Sequence, residues 1–130
     1  MVWLAEGCGG SVAIMHIIDD AATDGRFIRN IQGEAYGMGV SLIFEDSDED
    51  GAGPYLHQHP YAETFVIRSG KALFTVDGDQ LVATGGQVLV VPSLTPHKFE
   101  VVGPDRYIAT HIHASDTFIT EWLEGPQADR

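Results

Sequence analysis

Four of the six histidines stand in two pairs, His57/His59 and His111/His113. Imidazole serves both as a metal ligand and as an acid–base group near neutral pH. Residues two apart on a β-strand point to the same side, so a strand through His57 and His59 presents both rings to one face. Pro60 turns the chain immediately afterwards. Glu63 then opens a further apolar run, close enough to return a carboxylate to the same spot. Two imidazoles and a carboxylate on one face make a metal site with open positions. His97, following Pro96 in a later run, could close the cluster from across a barrel. Three neutral imidazoles and one carboxylate around a divalent ion carry a net charge of about +1 and leave roughly two positions of an octahedral shell for water, dioxygen or substrate. No thiolate belongs to the set, which argues against copper(I) and structural zinc. Iron, manganese, nickel, cobalt and zinc in their divalent states all suit it.

The segments that must position these groups read as short strands. Val12–Ile18, Phe27–Ile31 and Tyr36–Phe44 are apolar and β-rich, and so are the runs at 56–59, 63–67, 72–76, 80–83, 87–91, 97–102 and 106–113. Gly, Asp and Pro punctuate them, and Asp77-Gly78-Asp79 is a hairpin signal. Glu45–Pro54 is expected to be a solvated acidic loop without the ligand spacing of a calcium loop. Residues 115–123 read as either a short helix or one more strand. Strands this short and numerous point to an all-β fold, a barrel or double-sheet jelly roll.

The chain has 130 residues, enough for one domain with its own core. We expect a single domain over 1–130, a motif-bearing barrel over about 27–113, and a loose tail over 1–11, with Met15 a plausible alternative start. Cys8 is the single cysteine, so an intramolecular disulfide and a cysteine-based zinc or iron–sulfur site are excluded. Nineteen acids against seven bases give a net charge of −12. Such a surface repels phosphate backbones and anionic lipid, so nucleic acid and membranes are not expected partners. The run Val12–Met15 is too short to span a bilayer and no basic residue precedes it, so a cytoplasmic location is expected.

The segment Gly51-x5-His57-x-His59-x3-Glu63-x6-Gly70 resembles the complete first motif of the cupin family. The second motif is partly present: Gly86, Pro92 and His97 match, while Leu94 stands where glycine is expected and Val101 where asparagine is expected. The resemblance spans about Tyr36 to His113 and is to a small single-domain cupin of the conserved-barrel type. It implies a cupin double-stranded β-helix, or jelly-roll barrel, with one divalent metal inside, held by His57, His59, Glu63 and His97.

The second histidine pair leaves two readings. His111 and His113 share one side of their strand with Tyr107 and Ala109, while Ile108, Thr110 and Ile112 take the other. If the isoleucine side faces the core, the histidines face solvent. If they point inward, His113 could touch substrate or support a ligand. Tyr36, Phe44, Tyr61, Phe65, Phe74 and Phe99 are candidate cavity residues. Phe65, on Glu63's face, and Phe99, on His97's face, have the best claim to a pocket wall. Arg68 and Arg106 are candidates to hold a substrate carboxylate, or surface residues.

The resemblance covers enzymes and binding modules alike, and fold does not decide between them. One reading is a metal-dependent oxygenase, isomerase or decarboxylase on a small organic substrate, with Glu63 able to serve as a base. The other is a non-catalytic metal-binding or sensor module. A homodimer is expected, with the N-terminal strand and the Phe118–Leu123 tail, including Trp122, supplying the contact.

Overall fold

The computed structural model describes residues 2–6, 12–19 and 27–129. Its strands in chain order are β1 (Val2–Glu6), β2 (Val12–His16), β3 (Phe27–Ile31), β4 (Ser41–Ser47), β5 (His57–Gln58), β6 (Glu63–Ser69), β7 (Lys71–Val76), β8 (Asp79–Thr84), β9 (Val88–Val91), β10 (His97–Val101), β11 (Tyr107–His113) and β12 (Glu121–Trp122). Two antiparallel five-stranded sheets, ordered β12-β5-β10-β7-β8 and β3-β4-β11-β6-β9, form the double-stranded β-helix that the sequence predicted. β1 and β2 pair as a separate hairpin, so the stretch expected as a loose tail contains a strand at Val2–Glu6. The rest of that stretch lies outside the described residues. Among the described residues no helix is long and apolar enough to cross a membrane.

Period-two alternation decides which residues face inward. On β6 these are Glu63, Phe65 and Ile67, and on β7 Ala72 and Phe74. β10 contributes His97, Phe99 and Val101. On β11 the buried row is Tyr107, Ala109, His111 and His113, whereas Ile108 is 38% exposed. The apolar half of the interior is therefore Phe65, Ile67, Phe74, Phe99 and Val101 with their neighbours, and edge-to-face rings join Phe65 to Phe74 at 5.0 Å. The histidine-bearing ends of the same strands make the polar half.

Two local expectations are corrected and one open reading is decided. Tyr36–Phe44 is not one strand. Gly33–Tyr36 is a 3₁₀ turn closed by Gly37 at φ 70°, and β4 begins only at Ser41. β4 then runs on through Glu45 and Asp46, so the acidic segment is paired to both β3 and β11 before it becomes a loop. A carboxylate is tolerated there because Arg106 compensates Asp46 on one face. Residues 115–123 form no helix. They cross in bends to the two-residue strand β12, which pairs with β5.

Four motif positions, Gly51, Gly70, Gly86 and Leu94, carry left-handed geometry. Gly70 sits at φ 70°, in the turn between β6 and β7, with no room for a Cβ against the Arg106 carbonyl. Leu94, standing where the second motif calls for glycine, is also left-handed at φ 56°. Its backbone N–H donates to the His59 carbonyl at 2.7 Å, which fixes the 92–96 loop against the end of β5.

Candidate metal centre

His57, His59, Glu63 and His97 are all buried, and one donor atom from each lies within 4.8 Å of every other. Sheet register explains why. His57 pairs directly with His97, bringing β5 and β10 into one sheet. Glu63 opens β6 in the opposite sheet. His59 follows β5 and is drawn toward Glu63, its Nε2 standing 3.0 Å from Glu63 Oε1. His97 Nε2 reaches the same oxygen at 3.1 Å.

Backbone carbonyls orient the three rings. His57 Nδ1 donates to the Tyr55 carbonyl at 2.7 Å, His97 Nδ1 to the Thr95 carbonyl at 2.8 Å, and His59 Nδ1 to the Ile119 carbonyl at 2.8 Å. A carbonyl only accepts, so each ring keeps its proton on Nδ1 and leaves Nε2 as the available nitrogen. In neutral rings, the Nε2 lone pairs of His59 and His97 then face a carboxylate oxygen that also carries only lone pairs. Such an arrangement needs a positive charge between its members. Protonating the rings would bury several imidazolium ions together. A single divalent cation satisfies all the donors at once, and the second-sphere bonds at Nδ1 are those that orient metal-bound imidazoles. The donor set therefore fits a metal ion.

Electrostatics agree. Burial pushes the His57 pKa down to about 4, and the neighbouring His97 and His59 rings add to this against the opposing Tyr55 carbonyl and Glu63. His57 thus stays neutral at pH 7 and has no proton to shed on binding metal. Burial alone would raise Glu63. His113, then His59 and His97, favour the charged form and hold this carboxyl below the usual range, which for the two rings with their proton on Nδ1 requires a cation between Nε2 and the carboxylate.

The second histidine pair faces inward, against the reading that placed the isoleucines in the core. His111 and His113 are 1% and 3% exposed. The usual rule fails because this end of the interior is lined with polar groups that have partners. Tyr107 Oη lies 3.0 Å from His111 Nε2, and burial, then Glu45 and Glu63, raise the Tyr107 pKa, so its hydroxyl stays protonated and able to donate to that nitrogen. His111 then carries its proton on Nδ1, 3.9 Å from Glu63 Oε2. His113 is set the opposite way. The Ile119 N–H donates to Tyr61 Oη at 3.2 Å, and the Tyr61 hydroxyl is 2.7 Å from His113 Nδ1. With the carboxylate oxygen Glu63 Oε2 3.3 Å from Nε2, the arrangement that suits both neighbours has Tyr61 donating to Nδ1 and the neutral His113 ring carrying its proton on Nε2. That nitrogen is 3.3 Å from Glu63 Oε2 but badly angled to it, and it has no hydrogen-bond partner.

These groups open on a cavity of about 630 Å³. Phe65 and Phe99, expected in its wall, line it, as does His113. Tyr36, Phe44, Tyr61 and Phe74 do not. Phe74 is fully buried core, and Phe44 pairs with Thr110 on the outward row of β11. Phe118 and Trp122, from the tail expected in a subunit contact, also line the cavity. Trp122 lies against His57 at 5.2 Å, and Phe118 packs edge-to-face on His113 at 4.9 Å. His111, Glu45 and Trp122 are lining residues that the sequence did not mark as cavity-wall candidates. The β11 alternation shared with His113 could have found His111. Glu45 was hidden by the acidic run around it.

The sequence profile of the cupin domain matches residues 48–113. No curated protein matches the chain. Among solved structures, a cupin-like protein from Thermotoga maritima superposes with a TM-score of 0.64 at 16% identity, covering 78% of this chain and 80% of that one. An oxalate decarboxylase from Lactobacillus farciminis in complex with formate gives a TM-score of 0.64 at 18% identity, and a variant of the Bacillus subtilis oxalate decarboxylase gives 0.61 at 25%. Each decarboxylase match covers 74% of this chain but only 30% and 27% of the enzyme's length. With half the chain matched by the profile and the double-stranded β-helix described above, this protein belongs to the cupin family.

Proposed function

We propose that the protein is a metal-dependent enzyme acting on a small organic substrate, of oxygenase, isomerase or decarboxylase type. The observation that carries this reading is the common tautomer of His57, His59 and His97, each fixed by a backbone carbonyl with its remaining nitrogen turned to the Glu63 cluster. Those three imidazoles and Glu63 would hold the ion. Bound there, the metal supplies Lewis-acid polarisation of a substrate carbonyl or enol oxygen and, as iron, access to dioxygen chemistry. Glu63 also offers a carboxylate that can take a proton from substrate, with Oε2 directed toward the His111 and His113 side. Phe65 and Phe99 close one wall of the site against water. The likeness to two oxalate decarboxylases supports a reaction at a small oxygenated carbon skeleton.

The test is turnover. Protein purified without chelator is compared with chelator-stripped protein reloaded with iron, manganese, nickel, cobalt or zinc, against catechols, diketones, thiols and small acids. Metal-dependent conversion of one class, abolished in His57→Ala, is the expected result. Stoichiometric metal with no turnover of any class would support the non-catalytic binding module instead.

A further inference from the structure

We infer that the cavity takes an uncharged, oxygen-bearing molecule with a largely apolar body, and discriminates against dicarboxylates. The inference rests on the metal-site reading above and adds to it the class of ligand.

Charge is the first ground. Among the described residues Arg106 is the only lysine or arginine in the cavity wall, and both of its terminal nitrogens are engaged, Nη1 with Asp46 at 2.6 Å and Nη2 with Asp48 at 3.3 Å. Glu45 and Glu49 stand in the same wall. One guanidinium thus faces the carboxylates of Asp46, Asp48 and Glu49, with the Glu45 carboxyl beside them and apart from Glu63. A metal held by three neutral imidazoles and Glu63 can accept one carboxylate of a ligand. The second carboxylate of a dianion then meets a wall of its own sign, and among the described residues no unpaired cation lines it. Like-charge juxtaposition of this kind costs affinity and suppresses wrong partners.

The remaining wall indicates what does fit. Ile43, Phe99, Val101, Phe118 and Trp122 offer apolar and aromatic surface. His113 also lines this space, and its buried Nε2, 3.3 Å from Glu63 Oε2, makes no well-aligned hydrogen bond. A buried donor without a well-aimed acceptor is unfavourable, and a ligand oxygen that reached it beside the metal would relieve this. A ketone, enol or phenol carries such an oxygen on an apolar body.

The test uses the full-length protein loaded with cobalt(II), whose visible absorption responds to a change in ligands. Acetylacetone and malonate place two oxygens at the same spacing but differ by two charges. We expect acetylacetone to perturb the spectrum at a concentration at least about tenfold lower than malonate, equivalent to about 1.4 kcal/mol. Cobalt content is measured after each titration. Malonate or oxalate binding as tightly as acetylacetone overturns the inference and leaves the metal site standing. Failure to take up cobalt, seen before any probe is added, overturns both. The double variant Asp46→Asn/Asp48→Asn frees Arg106 and is expected to tighten malonate several-fold. An unchanged malonate affinity in that variant contradicts the charge argument even where the wild-type preference is found.

Discussion

His97 and Glu63 come from opposite sheets and are 34 residues apart, yet His97 Nε2 stands 3.1 Å from Glu63 Oε1. The contact crosses the sandwich and is one that folded chain alone can make. His59 meets the same oxygen from the loop after β5. If one cation satisfies this convergence, removing it should loosen the whole sandwich. A ligand that binds only the folded state stabilises by RT ln(1 + [L]/Kd), about 2.7 kcal/mol at a hundredfold excess over Kd. Chelator-stripped protein is therefore expected to melt several degrees lower, and re-added metal to restore the melting point in a concentration-dependent way. Superimposable melts would show that no ion is linked to folding.

The stripped protein should also respond to acid. Burial lowers His57 and His111 to about 4 in the folded state, against an ordinary value near 6.5. Between pH 6.5 and about 4 the unfolded chain takes up these two protons and the folded one does not, so stability falls as pH falls through that window. Glu45 works the other way. Burial, then the charge of Glu63, raises its pKa to about 7, so its contribution is lost as pH rises from its unfolded value of 4.5 toward 7. Each full proton is worth about 1.4 kcal/mol per pH unit. Two rings outweigh one partly exposed carboxyl, and urea melts are expected to show stability rising from pH 4.5 to 6.5. Glu45→Gln should steepen that rise. A flatter profile in the variant would contradict the assignment.

Tyr61 is expected to matter without being a ligand. Its hydroxyl links the Ile119 N–H to His113 Nδ1, and its ring stacks on His59 with centroids 5.0 Å apart. Tyr61→Phe keeps the stack but leaves His113 Nδ1 without its donor, at a cost of about 1–3 kcal/mol. Metal content should be unchanged and stability reduced by that amount. Loss of the metal in Tyr61→Phe would mean that His113 belongs to the ligand set.

Leu94 holds a left-handed conformation that glycine adopts freely. The strain amounts to about 1–2 kcal/mol, offset in part by the greater unfolded freedom of glycine. Leu94→Gly is accordingly expected to stabilise by about 0.5–1 kcal/mol, read from denaturant midpoints. Gly70→Ala, left-handed and crowded by the Arg106 carbonyl, should destabilise by more than that. A destabilised Leu94→Gly would argue that the leucine side chain does something the backbone geometry does not reveal.

The sequence was most legible where chemistry and local geometry coincide. The His57/His59 spacing on an extended segment, the turn at Pro60 and the return at Glu63 announced their own proximity, and strand alternation assigned Phe65 and Phe99 to the interior. Regions governed by long-range pairing were not legible. β4 carries acids as far as Ser47 because both neighbouring strands hydrogen-bond to it, which no local signal in Glu45-Asp46 indicates. The face of β11 was ambiguous because hydrophobicity favours Ile108 and Ile112 inside. What reverses the choice is Tyr107, Tyr61 and Glu63 supplying partners for His111 and His113, and only folding brings those residues together. Trp122 likewise reaches His57 through a two-residue strand too short to recognise by pattern.

The most direct measurement is metal analysis of the wild type and of His97→Ala, each purified without chelator and then exposed to iron, manganese, nickel, cobalt or zinc before gel filtration. The account predicts about one divalent ion per wild-type chain and at least a tenfold weaker retention in His97→Ala, in line with the loss of a ligand. A wild type that keeps none of the five ions, or a variant that keeps as much as the wild type, would contradict it.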